Sequence, residues 1–120
     1  MYRFRSGKLE QLTEDHSLLN ECIRAGQLTT QAERDAFPHQ NVIVRALGMS
    51  DDLKIDFGIH ALAKGDVFLL YSDGLSNAVP ESELVRLLSR PAEAASEALL
   101  QRALDLRAQD NVTVVVAEVQ

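Results

Sequence analysis

Two carboxylates in this sequence stand where apolar runs meet turn residues. Asp73 follows Val67-Phe68-Leu69-Leu70-Tyr71 and sits inside Ser72-Asp73-Gly74; Asp110 sits in Asp110-Asn111, just before Val112-Thr113-Val114-Val115-Val116. An apolar, β-branched run bounded by turn residues reads as a strand. Asp73 is therefore expected at the end of one strand and Asp110 at the start of another. If those strands are antiparallel, both carboxylates share one rim of a sheet. A carboxylate at the end of a core strand is costly unless it is paired, hydrogen-bonded or bound to a metal. Two of them on a rigid rim suit Mg²⁺ or Mn²⁺, which prefer oxygen ligands and keep several waters. Gly74 lets the backbone approach closely or take a positive φ. A plainer reading stands beside this one, in which each is a turn aspartate bonded to nearby backbone. Asn111 is expected to orient Asp110 or the turn, not to bind metal.

Other reactive side chains carry less. His16 lies in Thr13-Glu14-Asp15-His16-Ser17 without a His-Glu-x-x-His zinc pattern and reads as structural. His39 and His60 read as exposed, and Cys22 as a packed thiol on a helix face. Arg45 is expected to pair with a carboxylate. Asp66, in Gly65-Asp66, reads as a solvent-facing turn residue, and Asp51-Asp52 as a solvated loop. The chain carries no Walker-type glycine loop and no Gly-x-Ser-x-Gly elbow.

The elements that must position the two aspartates follow from the periodicity. Residues 2–12 read as a hairpin turning at Ser6-Gly7-Lys8. Ser17 is a helix N-cap, with Gly26 as the stop, and Thr29 or Thr30 caps a second short helix that Pro38 ends. This stretch is thin in large apolar residues and reads as a lid-like excursion. Residues 42–47, 53–60, 67–71 and 112–119 read as strands. A helix starts near Pro80 or Ser82 with Leu84, Leu87 and Leu88 inward. Another runs over 92–107 with a stripe of Ala95, Leu99, Ala103 and Leu106, widened by Leu100 and Leu104. Runs 67–71 and 112–116 are apolar at every position, as in strands buried on both faces. One face would meet a second sheet and the other a helix layer.

These motifs together resemble the metal-dependent serine/threonine protein phosphatases of the 2C type, the bacterial branch in particular. Ser72-Asp73-Gly74-Leu75 after a Gly-Asp-led strand and Asp110-Asn111-Val112-Thr113 before a terminal valine strand carry the resemblance. Residues 2–12, Thr13 to Ser17 and Arg45-Ala46-Leu47-Gly48 extend it in the same order. It covers residues 1–120 as the C-terminal portion of that domain, with 17–41 as a flap-like segment. It implies an α+β fold: a partial helix–sheet–sheet–helix sandwich of antiparallel strands, lacking the N-terminal strands and helices. The implied activity is hydrolysis of phosphoserine and phosphothreonine in proteins, without a covalent intermediate. Asp73 and Asp110 would bind one of two Mn²⁺ or Mg²⁺ ions, Asp73 with a share in a third, weaker one; Gly74 and Asn111 would support them. The family's phosphate-gripping arginine, its other metal carboxylates and its candidate acid histidine lie in the part this sequence does not match. The chain alone is therefore expected to be inactive or nearly so. The alternative is a non-catalytic binding module or truncated remnant that associates through its open sheet face. Self-association, or pairing with the missing N-terminal part, is expected.

Composition bounds these readings. One domain, or part of one, fits 120 residues. With 46% hydrophobic and 25% charged residues the chain is of ordinary globular make-up. A net charge of −6 argues against a nucleic-acid partner. No stretch approaches the ~18 apolar residues of a membrane span. A single cysteine excludes an intramolecular disulfide. Cytoplasmic residence and neither a nucleic-acid nor a membrane partner are the resulting expectations, beside the phosphoprotein substrate that the resemblance implies.

Overall fold

Ser6 and Gly7 both take positive φ (50° and 79°), the two-residue turn whose twist matches a tight hairpin. They join β1 (Tyr2–Arg5) to β2 (Lys8–Gln11). The computed structural model describes residues 1–52 and 54–120. After the hairpin come α1 (Leu18–Arg24), α2 (Gln31–Asp35), β3 (Val67–Tyr71), α3 (Asp73–Ser76), α4 (Glu81–Leu88), α5 (Ala92–Asp105) and β4 (Val114–Glu118). The four strands form one antiparallel sheet in the order β2-β1-β3-β4. This is an α+β architecture, as expected. The chain divides into two compact units: residues 1–13 with 58–120, and residues 14–57.

The first unit holds the sheet and the core. Phe4 pairs with Val67, and Leu69 with both Tyr2 and Val116, so these side chains share one face. Leu84, Leu87 and Leu88 of α4 and Ala95, Leu99 and Ala103 of α5 are buried, all but Ala95 in one cluster with Phe4, Val67 and Leu69. Fully burying a leucine contributes about 1.5–3 kcal/mol, so this one-sided layer dominates the unit's stability. Glu83 of α4 and Arg102 of α5 add a two-point ion pair, Nε–Oε2 2.5 Å and Nη2–Oε1 2.8 Å.

The opposite sheet face is open, which corrects the expectation of burial on both faces. Phe68 pairs with Ala117, and Leu70 with Val115; Leu70 and Val115 are 43% and 52% exposed. Among the described residues no second sheet covers them. Leu100 and Leu104 are likewise exposed rather than part of the buried stripe of α5, as is Leu106, its C-cap.

The second unit contains the two short helices, each ended as the sequence dictates. Asn20 N–H donates to the Ser17 hydroxyl, and Gly26 (φ 73°) follows the C-cap of α1. Thr30 and Glu33 form a reciprocal capping box at α2. Neither helix buries a residue.

Two expected strands are not formed. Among the described residues, 42–47 pair only at the Ser17–Ile43 bridge. Residues 54–60 have no regular structure, with Phe57 and Ile59 89% and 101% exposed; Leu53, the first residue of that expected strand, lies outside the described residues. Alternation makes a strand only where a neighbouring edge supplies the hydrogen bonds and an apolar layer covers one face. Among the described residues, 54–60 join no ladder, and Ile55, Phe57 and Ile59 lie exposed.

Candidate functional site

The last pair of the β3–β4 ladder is Tyr71 with Val114, so the chain leaving β3 and the chain entering β4 run side by side. Ser72 extends that contact. Its N–H donates to the Thr113 carbonyl at 3.1 Å. Its hydroxyl donates to the Asn111 carbonyl at 3.0 Å and accepts the Thr113 N–H at 2.9 Å. Gly74 closes the other side: a Cβ built there would lie 2.4 Å from the Asn111 oxygen and 3.2 Å from the Asp110 oxygen. Only a residue without a side chain lets the backbones at 73–74 and 110–111 approach this closely. The expected common rim for Asp73 and Asp110 is therefore present.

Asp73 does not end the strand directly. It opens α3, a short helix not foreseen from the sequence, with Ser72 at the N-cap position. The Ser72 hydroxyl makes no cap bond there, being engaged across the rim instead. Both aspartates are exposed, not buried or half-buried. Among the described residues the Asp73 carboxylate accepts no hydrogen bond, and Asp110 Oδ1 accepts only the Asn111 N–H, at 2.7 Å. That bond ties the Asp110 carboxylate to the main chain that follows it. A hollow of about 300 Å³ beside the rim is lined by Gly74, Asn77, Arg107, Gln109 and Asp110.

Exposed carboxylates with free lone pairs are donors a hard divalent cation uses. The glycine-permitted close approach brings their backbones together, so the donor set fits Mg²⁺ or Mn²⁺. Among the described residues no cluster of three or more His, Cys, Asp or Glu forms. This chain thus offers two carboxylates, and a cation here would complete its shell with water or with groups from elsewhere.

The structure reverses the reading of Asp66. It is fully buried, not solvent-facing. Its carboxylate takes Arg5 Nε and Nη2 on its two oxygens and the Ala63 N–H at 2.8 Å. The Arg5 hydrogen bonds, opposed by desolvation and helped by the Ala63 N–H, hold its pKa down to about 2. Arg5 Nη2 also donates to the Ala61 carbonyl at 3.0 Å. Asp66 is a structural clamp: buried, with both oxygens engaged by Arg5 and Oδ2 also by the Ala63 N–H, it is not placed to bind a ligand.

In the second unit His16 Nε2 meets Asp56 Oδ2 at 2.5 Å, and Arg45 Nη1 donates to Asp56 Oδ1 at 3.0 Å. Hydrogen bonds from His16 and then Arg45 lower the Asp56 pKa. Arg45 thus finds the carboxylate partner expected for it. His39 is exposed, His60 half-buried, and Cys22 a free, half-buried thiol. Sequence reasoning treated Ser72 only as a turn residue; its signal was a hydroxyl wedged between a core strand and the candidate ligand.

Residues 24–120 match the family described as Stage II sporulation protein E (SpoIIE). The chain is 40% identical over 114 residues to the protein phosphatase PhpP of Streptococcus pneumoniae, covering 93% of this chain and 46% of that protein. It superposes with a TM-score of 0.87 and 32% identity on the serine/threonine phosphatase of S. agalactiae, covering 99% of this chain and 50% of the other. The catalytic domain of the serine/threonine protein phosphatase PstP, solved in complex with two manganese ions, gives a TM-score of 0.79 at 30% identity, covering 99% of this chain and 49% of that one. The chain spans about half the length of the relatives it matches.

Proposed function

We propose that this chain, which belongs to the Stage II sporulation protein E (SpoIIE) family, forms the C-terminal portion of a metal-dependent serine/threonine protein phosphatase. Asp73 and Asp110 serve as carboxylate ligands to one divalent cation, Mn²⁺ or Mg²⁺, in a site that holds two. The observation that carries this reading is the rim itself: two exposed carboxylates on backbones drawn together by Ser72 and Gly74. The likeness to PhpP and to the manganese-bound PstP domain supports it. Gly74 and Asn111 support the ligands, the first by its missing Cβ and the second by its N–H to Asp110. Residues 17–41 are a flap-like excursion, a reading supported by two helices without a buried residue.

A bound divalent cation in such a site polarises phosphoryl oxygens and lowers the pKa of its water. This chain's residues hold the cation and orient one side of the site. Hard cations take ~6 oxygens and rely on several carboxylates to offset dehydration. Two carboxylates alone bind weakly, and much of the charge stabilisation that drives phosphoryl transfer is missing. The isolated chain is expected to hydrolyse an aryl phosphate at background rate in Mn²⁺. Activity should appear when the half of the relatives' length that this chain does not span is added as a separate polypeptide. Mn²⁺-dependent turnover by the chain alone, lost in Asp73→Asn, would overturn the expectation of inactivity. Reconstituted turnover that survives Asp73→Asn would overturn the ligand assignment.

The open sheet face favours a second reading. Leu70 and Val115 expose an apolar surface that a partner, or a second copy, could cover. In that case the chain is a binding module, and the phosphoprotein or regulatory partner binds without turnover.

A further inference from the structure

We infer that Ser72 is a positioning residue: its hydroxyl locks the strand-end backbone that carries Asp73 to the backbone that carries Asp110, and so sets how tightly the pair holds a cation. The inference rests on the proposed reading of Asp73 and Asp110 as metal ligands. Ser72 is the N-cap residue of α3, and a serine there ordinarily turns its oxygen onto the helix's free N–H groups. Here that bond is absent. The hydroxyl instead donates to the Asn111 carbonyl at 3.0 Å and accepts the Thr113 N–H at 2.9 Å. It therefore bonds on both sides of Val112, one residue beyond Asp110-Asn111. The Ser72 backbone N–H adds a third bond to Thr113 at 3.1 Å.

Side-chain and main-chain bonds from one residue thus fix the entry to β4 relative to the exit from β3. Asp73 is the next residue along, so its Cα inherits that fixed position. Gly74 limits the approach from the other side, since nothing larger fits against Asn111. The two devices act in opposite senses. Ser72 draws the two backbones together, and the Gly74–Asn111 contact sets how near they come. The separation of two carboxylates on such a rim is not left to rotamers alone. Groups that orient metal ligands typically change affinity by about 10–100-fold when removed, without touching the metal.

The test is Mn²⁺ binding by the full chain at millimolar metal, read from the water-proton relaxation of Mn²⁺ and from paramagnetic broadening of the Gly74 and Asn111 amides. Ser72→Ala is expected to weaken binding by roughly 10-fold. Ser72→Thr, which keeps the hydroxyl on an extended backbone (φ −83°, ψ 159°), should stay close to the parent. The melting temperature of the metal-free variants is measured alongside. A merely structural hydroxyl would lower that temperature in Ser72→Ala and leave Mn²⁺ affinity, taken well below it, unchanged; that result would overturn the inference. If Ser72→Ala does not fold, Ser72→Cys, with a weak sulfur donor, is read the same way. Asp73→Asn and Asp110→Asn separate the two levels. If they bind Mn²⁺ like the parent, the ligand assignment itself fails and the inference with it. If they lose binding while Ser72→Ala and Ser72→Cys keep it, only the role of Ser72 fails.

Discussion

Asp66 and Asp73 bracket the same strand, one residue before β3 and two after it, and the fold treats them in opposite ways. Asp66 is buried, with both oxygens taken by Arg5 and a further bond from the Ala63 N–H. Asp73 is exposed, and among the described residues its carboxylate accepts nothing. A carboxylate buried with both oxygens engaged by the protein stabilises the fold and is closed to a ligand. One left open on a rigid rim adds little to stability and is available for chemistry. Burial and satisfaction, not residue type, therefore set the structural acid apart from the one left open to solvent.

The largest expected effects follow from exchanging each acid for its amide. Asp73→Asn should reduce Mn²⁺ binding by more than the roughly 10–100-fold typical of a supporting group. Its melting temperature should match the parent or rise slightly, because it relieves repulsion beside Asp110 in a chain of net charge −6. Asp66→Asn should do the reverse. It leaves the Arg5 guanidinium facing an amide and destabilises the chain, while Mn²⁺ affinity, measured on folded protein, holds. A crossed result, with Asp66→Asn abolishing metal binding in a folded chain, would dissolve the contrast between the two ends of β3.

Gly74→Ala tests the rim with an opposed pair of effects. Inside a helix alanine is favoured over glycine by about 1 kcal/mol. The added Cβ would lie 2.4 Å from a backbone oxygen, and forced contacts of this kind cost about 1–3 kcal/mol. The clash should win, lowering the urea midpoint and weakening Mn²⁺ binding together. A stabilised variant would mean that the rim opens freely and that close approach is no requirement.

Acid should act on the other end of the strand. The folded-state pKa of Asp66 is about 2, below the ~3.9 of an unfolded aspartate. Its contribution to stability is thus fully present above pH ~3.9 and is lost as the pH falls toward 2. Urea melts of the parent and Asp66→Asn should differ at pH 6 and converge near pH 2. A gap that persists unchanged at pH 2 would assign the stabilisation to packing instead of charge.

Much of this was legible in the sequence because local physics set it. The hairpin at Ser6-Gly7, the caps at Ser17 and Thr30, the inward leucines of α4 and the two apolar runs all follow from nearest neighbours. Asp73 and Asp110 stand out as candidates because each follows or precedes such a run. Asp66 was misread because its partner Arg5 lies 61 residues away, and no local pattern marks a carboxylate for burial. Residues 54–60 were misread for the complementary reason. Their alternation has strand character, but a strand also needs an edge and a covering layer, which local sequence does not encode. Ser72 passed unnoticed because a hydroxyl in a turn has many local partners, and the bond it makes here reaches 39 residues along the chain.

The smallest effect on stability is expected between the two acids, on β3 itself. Leu69 is fully buried against the helices, whereas its neighbour Leu70 is 43% exposed on the open face beside Val115. Leu70→Thr and Val115→Thr place β-branched residues, which suit a pleated surface, at both positions, and surface changes of this kind usually fall within about 0.5 kcal/mol. Their melting temperatures should therefore stay near the parent. Exposed apolar sheet faces nonetheless promote association, so sedimentation velocity should show the parent self-associating with concentration and the double variant shifted toward monomer. A parent that remains a monodisperse monomer at high concentration would remove the support that the open face lends to the binding-module reading. Association that vanishes in the double variant would assign it to this face, since the covered side of the same strand is unchanged.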